Sequence, residues 1–373
     1  MKIAILGGSF NPVHIEHVEL AKNAIKELNL DKLIVMPTYF APHKNEAPAP
    51  AEDRLNMLKI AFSSVPKVEV SDFEIANGGK SYTYLTVEHF KEKLGGTLYF
   101  ICGADMLIDF KTWRYPERIL SACSLAVFGR DGVYVDYEKE EEYLKEKYGK
   151  GFYRLSYVGK ENSSTEIRTK LALGLKPNGL DENVFDYIKE KGLYKGDIYE
   201  DFTHATLPEK RLIHTANVVI TALSKAKELG LDKDKVRISA VLHDCAKYIE
   251  QASVKGFSLS GCVPAPVVHA FLGAFIAEEK LKITDKEIIN AIKYHTTGKA
   301  NMTTLEKLIF VADMIEEGRN YEGVEVLRKY YKEDFEKCFI ECLKEEYIHL
   351  KNKGGDIYFE TENAYNYYVK ENN

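Results

Sequence analysis

The hydrophobic pattern of this chain changes character once, near Gly196, and that change limits what it can fold into. Before it, short β-branched runs alternate with helix-spaced segments. Residues 2–6, 32–36, 67–70, 97–102 and 124–128 read as short buried strands, with helical patterns between them, for example over 54–62 and 83–93. Such alternation predicts a parallel sheet covered by helices on both faces. Between residues 191 and 208 the period lapses. Beyond it strand-like runs are absent, and 211–229, 235–250, 267–279, 285–294, 304–317 and 335–351 carry helical spacing. A chain of 373 residues also exceeds one ordinary core. The expectation is an α/β domain over 1–196 followed by an all-α domain over 197–373.

The formal net charge of −6 gives no reason to expect a nucleic-acid polymer as partner. Small nucleotides stay compatible, because local basic residues can serve them. No 18-residue apolar run exists, and the chain opens on a strand rather than a signal peptide, so no membrane is expected. The six cysteines form no CxxC pair and read as thiols of a reducing cytoplasm. The charge-rich stretch 136–150 reads as a solvated helix.

The first strand feeds GGSFNPVHIEH, residues 7–17. A Gly-Gly turn after a buried strand lets backbone approach a ligand closely. His14 and His17 stand three apart where the next helical pattern begins. They share a face at a helix N-terminus, where N–H groups and the dipole favour phosphate. Ligands of parallel sheets bind outside the carboxyl ends of the strands. That places Gly8, Ser9 and Phe10 in one crevice with Gly103-Ala104-Asp105. Three more segments fit the same site. Pro42-His43-Lys44 offers a cation; Ser81-Tyr82-Thr83 joins Trp113; SSTEIR, residues 163–168, offers Ser164 and Thr165 hydroxyls at a helix start and the forked cation Arg168. Attack by an ionised phosphate on the α-phosphate of a nucleoside triphosphate needs alignment and charge neutralisation more than a general base. His14, His17, Lys44 and Arg168 suit that task. With no dense carboxylate cluster nearby, magnesium would ride on the substrate phosphates. Taken singly, a histidine at a helix start is usually a cap and a lone tryptophan usually packs. Four ordered segments together fit that explanation poorly.

These segments, with GADML, TW and the closing LDENVFDYIKEKGLY, resemble in order over residues 1–195 the bacterial nicotinate-nucleotide adenylyltransferases. The resemblance implies a Rossmann-like nucleotidyltransferase fold. It also implies transfer of AMP from ATP, with Mg2+, to nicotinate mononucleotide, giving deamido-NAD and pyrophosphate. By it, His14, His17 and Arg168 contact the triphosphate and Lys44 approaches from its loop. Thr83 and Trp113 hold the nicotinate ring, while Gly103 and Asp105 line the nucleotide side. Rival acceptors are nicotinamide mononucleotide and phosphopantetheine; SYT with Trp113 argues against the latter. Two positions depart from the family pattern. Glu16 stands where HxGH has glycine, and Leu85 stands where many members have aspartate.

The helical half holds His214, the pair His243-Asp244, His269, His295 and Asp313, several of them inside apolar stretches. A carboxylate there is costly to bury unless paired or metal-bound. Inward His and Asp side chains from several helices are how bundles build metal sites. Imidazole with carboxylate suits iron, manganese or zinc, and Asp244 could bridge two ions. The bland alternative is a set of satisfied core histidines. The order H…HD…H…H…D resembles the HD superfamily of metal-dependent phosphohydrolases. More narrowly, RLIHT, VLHDCAKYI, VVHAFLGA, AIKYHTTGKANM and VADMIEEGRNYEGV resemble a bacterial branch that cleaves diadenosine tetraphosphate symmetrically into two ADP. That implies two transition-metal ions, iron first, with manganese or zinc as alternatives. His214, His243, Asp244 and Asp313 would hold one, and Asp244, His269 and His295 the other. Lys247, Arg319 and Thr296-Thr297-Gly298 would meet phosphate. Glu317 replaces a proline common in the branch. Nucleotide sensing, or hydrolysis of another nucleotide phosphate, would use the same ligands.

Overall fold

The computed structural model describes residues 1–39, 49–159, 163–259, 261, 263–354 and 357–370. They form two compact units, residues 1–168 with 177–194, and residues 169–176 with 195–373.

The first unit is built on β1 (Lys2–Gly8), β2 (Lys32–Pro37), β3 (Val68–Val70), β4 (Thr97–Gly103), β5 (Ser124–Arg130) and β6 (Phe152–Gly159). All pairings are parallel, in the order β3-β2-β1-β4-β5-β6. The centre of β1 is fully enclosed: Ile3, Ala4 and Ile5 expose no surface. Helix Thr83–Leu94 packs Val87 and Phe90 into one side of the sheet core with Ile3, Ile5 and Phe100. Helix Ile15–Glu27 buries Leu20, Ala21 and Ala24. Five of the six strands match the sequence reading. The edge strand β6 escaped it because FYRLSYVG buries only Leu155 and Gly159 and so has no continuous apolar run. Strand order reverses at β1, flanked by β2 and β4, which opens a crevice at their carboxyl ends.

The second unit is helical, with no strand among the described residues. Its core gathers Val219, Leu242, Leu272, Ile292, Leu308 and Phe339. Two local expectations are corrected. The aperiodic stretch 191–208 contains helix Ile198–Thr206, set by a capping box in which Asp197 and Glu200 exchange bonds rather than by a long apolar stripe. The helix expected over 235–250 ends at Leu242. Its continuation tightens into three-residue turns, Cys245 N to Leu242 O, Lys247 N to Asp244 O and Ile249 N to Ala246 O. His243 and Asp244 therefore stand at a helix terminus. Helices Val324–Glu333 and Phe359–Tyr365 were also not foreseen. Among the described residues no helix is long and apolar enough to cross a membrane.

Candidate active sites

At the end of β1, His14 caps helix Ile15–Glu27 and His17 occupies its third position, each side chain bonding the other's backbone. Their rings lie 3.8 Å apart, and Phe10 meets His17 edge-on at 4.9 Å. The His14 N–H donates to His17 Nδ1 at 3.3 Å. With that nitrogen accepting, a neutral His17 carries its proton on Nε2, ready to donate. Burial, with Arg130 and Arg168 close by, pulls His14 down to about 4. Burial, His14 and Arg130 hold His17 well below the ordinary imidazole range. The expectation that these imidazoles neutralise phosphate charge is thereby corrected: near pH 7 they are neutral hydrogen-bonding groups, and arginines carry the charge.

Arg168 reaches back into the same loop. It donates to the Asn11 carbonyl at 2.7 Å and to Thr165 Oγ1 at 3.2 Å. Tyr194 donates to Asn11 Oδ1 at 2.6 Å. Ser164 and Thr165 sit in the first turn of helix Ser163–Ala172. Across the crevice, Gly103 ends β4. A Cβ there would lie 2.4 Å from Asp105 Oδ1 and 3.1 Å from Arg130 Nε, so any side chain at this position would push Asp105 aside. Asp105 and Arg130 pair at 3.4 Å. Trp113 packs against Phe110 and Phe100. Thr83 opens its helix next to Tyr82, whose ring lies under the Arg114 guanidinium at 4.9 Å, so the SYT and TW segments are neighbours. Lys44, with Pro42 and His43, falls outside the described residues. Glu16 receives the Tyr157 hydroxyl at 2.6 Å, and Leu85 is exposed. Sequence reasoning missed Arg130 and Arg54, because an arginine at a strand end or inside a helix carries no motif.

In the helical unit all six metal-type residues meet. Asp244 is the hinge of the cluster. Its Oδ1 lies 3.0 Å from His269 Nε2 and 3.6 Å from His295 Nε2, while its Oδ2 lies 3.8 Å from His243 Nε2 and 3.9 Å from His214 Nε2. His214 Nε2 is also 3.0 Å from Asp313 Oδ1. Two overlapping donor groups result, His214–His243–Asp313 and His243–Asp244–His295. The Nδ1 atoms of His243 and His295 lie 2.7 Å from the carbonyls of Ala240 and Ile292. Those bonds place the ring proton on Nδ1 and turn the Nε2 lone pairs inward. His243 and His214 Nε2 then face each other at 3.3 Å, as do His269 and His295 Nε2. Facing nitrogens at that distance fit ligands of one ion, since two nitrogens about 2.1 Å from a metal stand roughly 3–3.5 Å apart.

Burial works against the Asp244 carboxylate, yet His243, His269 and His295 outweigh it and hold the group far below the usual range. Asp313 is held down despite its burial by His214 and Arg319. Burial drives His243 to about 3 against the pull of Asp244. His214 moves the other way, because its bonds to Asp313 and Glu316 exceed the cost of burial. Glu316 was missed by sequence reasoning. It lies 3.1 Å from His214 Nδ1 and accepts from Asn217 at 2.8 Å. Its three-residue spacing from Asp313 was the available signal. Cations ring the cluster: Arg211 lies 3.3 Å from Asp244 Oδ2, Lys247 3.2 Å from Oδ1, and Arg319 donates to the Asp313 carbonyl at 2.7 Å. Thr296 Oγ1 stands 3.1 Å from His295 Nε2.

Comparison with known proteins follows the same division. The Cytidylyltransferase-like family model matches residues 5–170, and the HD domain model matches residues 211–318. A Mycoplasma genitalium protein named probable nicotinate-nucleotide adenylyltransferase/Ap4A hydrolase is 29% identical, covering 92% of this chain and 97% of its own. A Clostridium tetani protein named probable nicotinate-nucleotide adenylyltransferase is 38% identical, over 52% of this chain and 99% of its own. A solved chain from Clostridium acetobutylicum, described as a predicted HD superfamily hydrolase involved in NAD metabolism, is 32% identical. It covers 46% of this chain and 95% of its own, with a TM-score of 0.42. By its sequence the chain belongs to the nicotinate-nucleotide adenylyltransferase family, with an HD domain following in the same chain.

Proposed function

We propose that the chain is a bifunctional cytoplasmic enzyme. Its first domain, residues 1–196, transfers AMP from ATP to nicotinate mononucleotide; its second, residues 197–373, hydrolyses diadenosine tetraphosphate to two ADP. The carrying observation is that two chemically distinct clusters lie in different compact units.

In the first, Arg168 and Arg130 hold the triphosphate charge. His17 Nε2 and the first-turn N–H groups of helix Ser163–Ala172 donate to phosphate oxygens, with Lys44 and magnesium added as substrate arrives. The nucleophile is already an ionised phosphate, so no base is required. Gly8, Ser9 and Phe10 form the floor under the phosphates, Gly103 and Asp105 the nucleotide wall. Thr83 and Trp113 face the nicotinate ring.

In the second, His214, His243, Asp244 and Asp313 would hold one ion and Asp244, His269 and His295 another. Bound metal would supply a hydroxide near neutral pH and polarise phosphoryl oxygen. Asp244 fits the bridging place because its two oxygens face different histidine pairs. Lys247, Arg319 and Thr296 flank the cluster where the polyphosphate would lie.

Incubation with ATP and either nicotinate or nicotinamide mononucleotide tests the first activity. Formation of deamido-NAD with the acid and little NAD with the amide supports it; no dinucleotide from either refutes it. Diadenosine tetraphosphate with iron, manganese or zinc tests the second. ADP as sole product supports it, whereas AMP with ATP, or no cleavage with any metal, refutes it.

A further inference from the structure

Arg54 lies in helix Ala51–Phe62 and is 1% exposed, one of the largest wholly enclosed side chains of the protein. An arginine in that position normally faces a carboxylate. Among the described residues Arg54 has none. It donates instead to four backbone carbonyls: Ser9 at 2.8 Å, Thr38 at 2.7 Å, and Tyr39 and Ala49 at 3.3 Å each. One nitrogen bridges the first two. Gly8 and Pro37 are register partners at the ends of β1 and β2, so this bridge joins the two segments just where they leave the sheet.

The Ser9 carbonyl is the important contact. A planar trans peptide sets its C=O and N–H on opposite sides. A Ser9 carbonyl held against Arg54 turns the Phe10 N–H the other way. One residue on, Phe10 has φ 43, a left-handed conformation that is costly outside glycine and persists only where the surroundings impose it. Those surroundings are Arg54 on the Ser9 side and Arg168 on the Asn11 side, both bonding carbonyls.

We propose that Arg54 is a positioning residue for adenylyl transfer. It fixes the Ser9–Phe10 peptide so that the loop presents its N–H to the triphosphate. The inference rests on the adenylyltransferase reading of the first domain.

The test uses the full chain, with Arg54→Lys and Arg54→Met beside wild type. Steady-state deamido-NAD synthesis is measured against ATP and nicotinate mononucleotide separately. Inorganic pyrophosphate serves as a binding probe through the thermal shift of Trp113 fluorescence. A displaced loop should cost roughly 10²-fold in kcat/KM for ATP in Arg54→Met. The KM for nicotinate mononucleotide should stay within about twofold, and lysine should recover part of the loss. Pyrophosphate stabilisation should shrink in the order Arg, Lys, Met. A folded Arg54→Lys and Arg54→Met pair with wild-type kcat/KM and an undiminished pyrophosphate shift overturns the proposal. So does failure of both variants to fold, which would make Arg54 a folding residue alone. Wild type that makes no deamido-NAD would instead refute the reading beneath it.

Discussion

The Tyr157 hydroxyl lies 2.6 Å from the Glu16 carboxylate, to which it donates, and 3.0 Å from the Glu16 backbone carbonyl. That pair ties the first turn of helix Ile15–Glu27 to β6. It also shows how an anion can stand between the two histidines of the proposed phosphate site: its carboxylate is turned to a phenol donor. Glu16 should therefore be dispensable for chemistry. Glu16→Gly is expected to lower stability by about 1 kcal/mol through helix propensity, while kcat/KM for deamido-NAD synthesis stays within about threefold. A loss of a hundredfold or more in a folded variant would show that Glu16 acts on substrate.

His14 titrates near 4 in the folded chain against 6.5 in the unfolded one. Between those values the unfolded state binds more protons, so stability rises with pH. The contribution is fully present above about 6.5 and disappears as pH falls towards 4, amounting to about 3 kcal/mol. Trp113, the single tryptophan, belongs to the first unit and reports its unfolding. Urea titrations at pH 7 and 4.5 should show a markedly smaller pH dependence in His14→Gln. An identical dependence in variant and wild type would remove His14 from the account of acid lability.

Glu316 touches no predicted ligand position other than His214, which it orients through Nδ1 at 3.1 Å. Glu316→Gln should weaken metal binding by roughly 10–100-fold. Deamido-NAD synthesis should not change. Competition with a chelator, followed by elemental analysis, measures this; unaltered affinity would make Glu316 a packing residue.

The strands of the first unit and most helices of the second were readable because buried β-branched runs and helical spacing are local signals. The six metal-type residues were readable for a different reason: buried His and Asp in apolar stretches need partners. What escaped were features set by tertiary context. The edge strand Phe152–Gly159 is largely exposed and carries no apolar run. Helix Ile198–Thr206 is defined by its cap and by Thr203, whose hydroxyl bonds Val241 O at 3.1 Å. Arg54 and Arg130 act through partners distant in sequence. The neutral state of His14 and His17 depends on burial and nearby arginines, which no spacing reveals.

Asp244 faces His269 with one oxygen and the His214–His243 pair with the other. A bridging role predicts unequal losses of metal on substitution. Asp313→Ala should retain about half of the wild-type metal content, whereas Asp244→Ala should retain little. Equal losses in the two folded variants would point to a single ion.

Two separate active sites in one chain should be separable by single substitutions. The most direct test assays both activities in the folded variants His17→Ala and His243→Ala. His17→Ala should lose deamido-NAD synthesis by about 10²-fold or more while cleaving diadenosine tetraphosphate at the wild-type rate, and His243→Ala should do the reverse. Loss of both activities in either folded variant would contradict the separation of the sites.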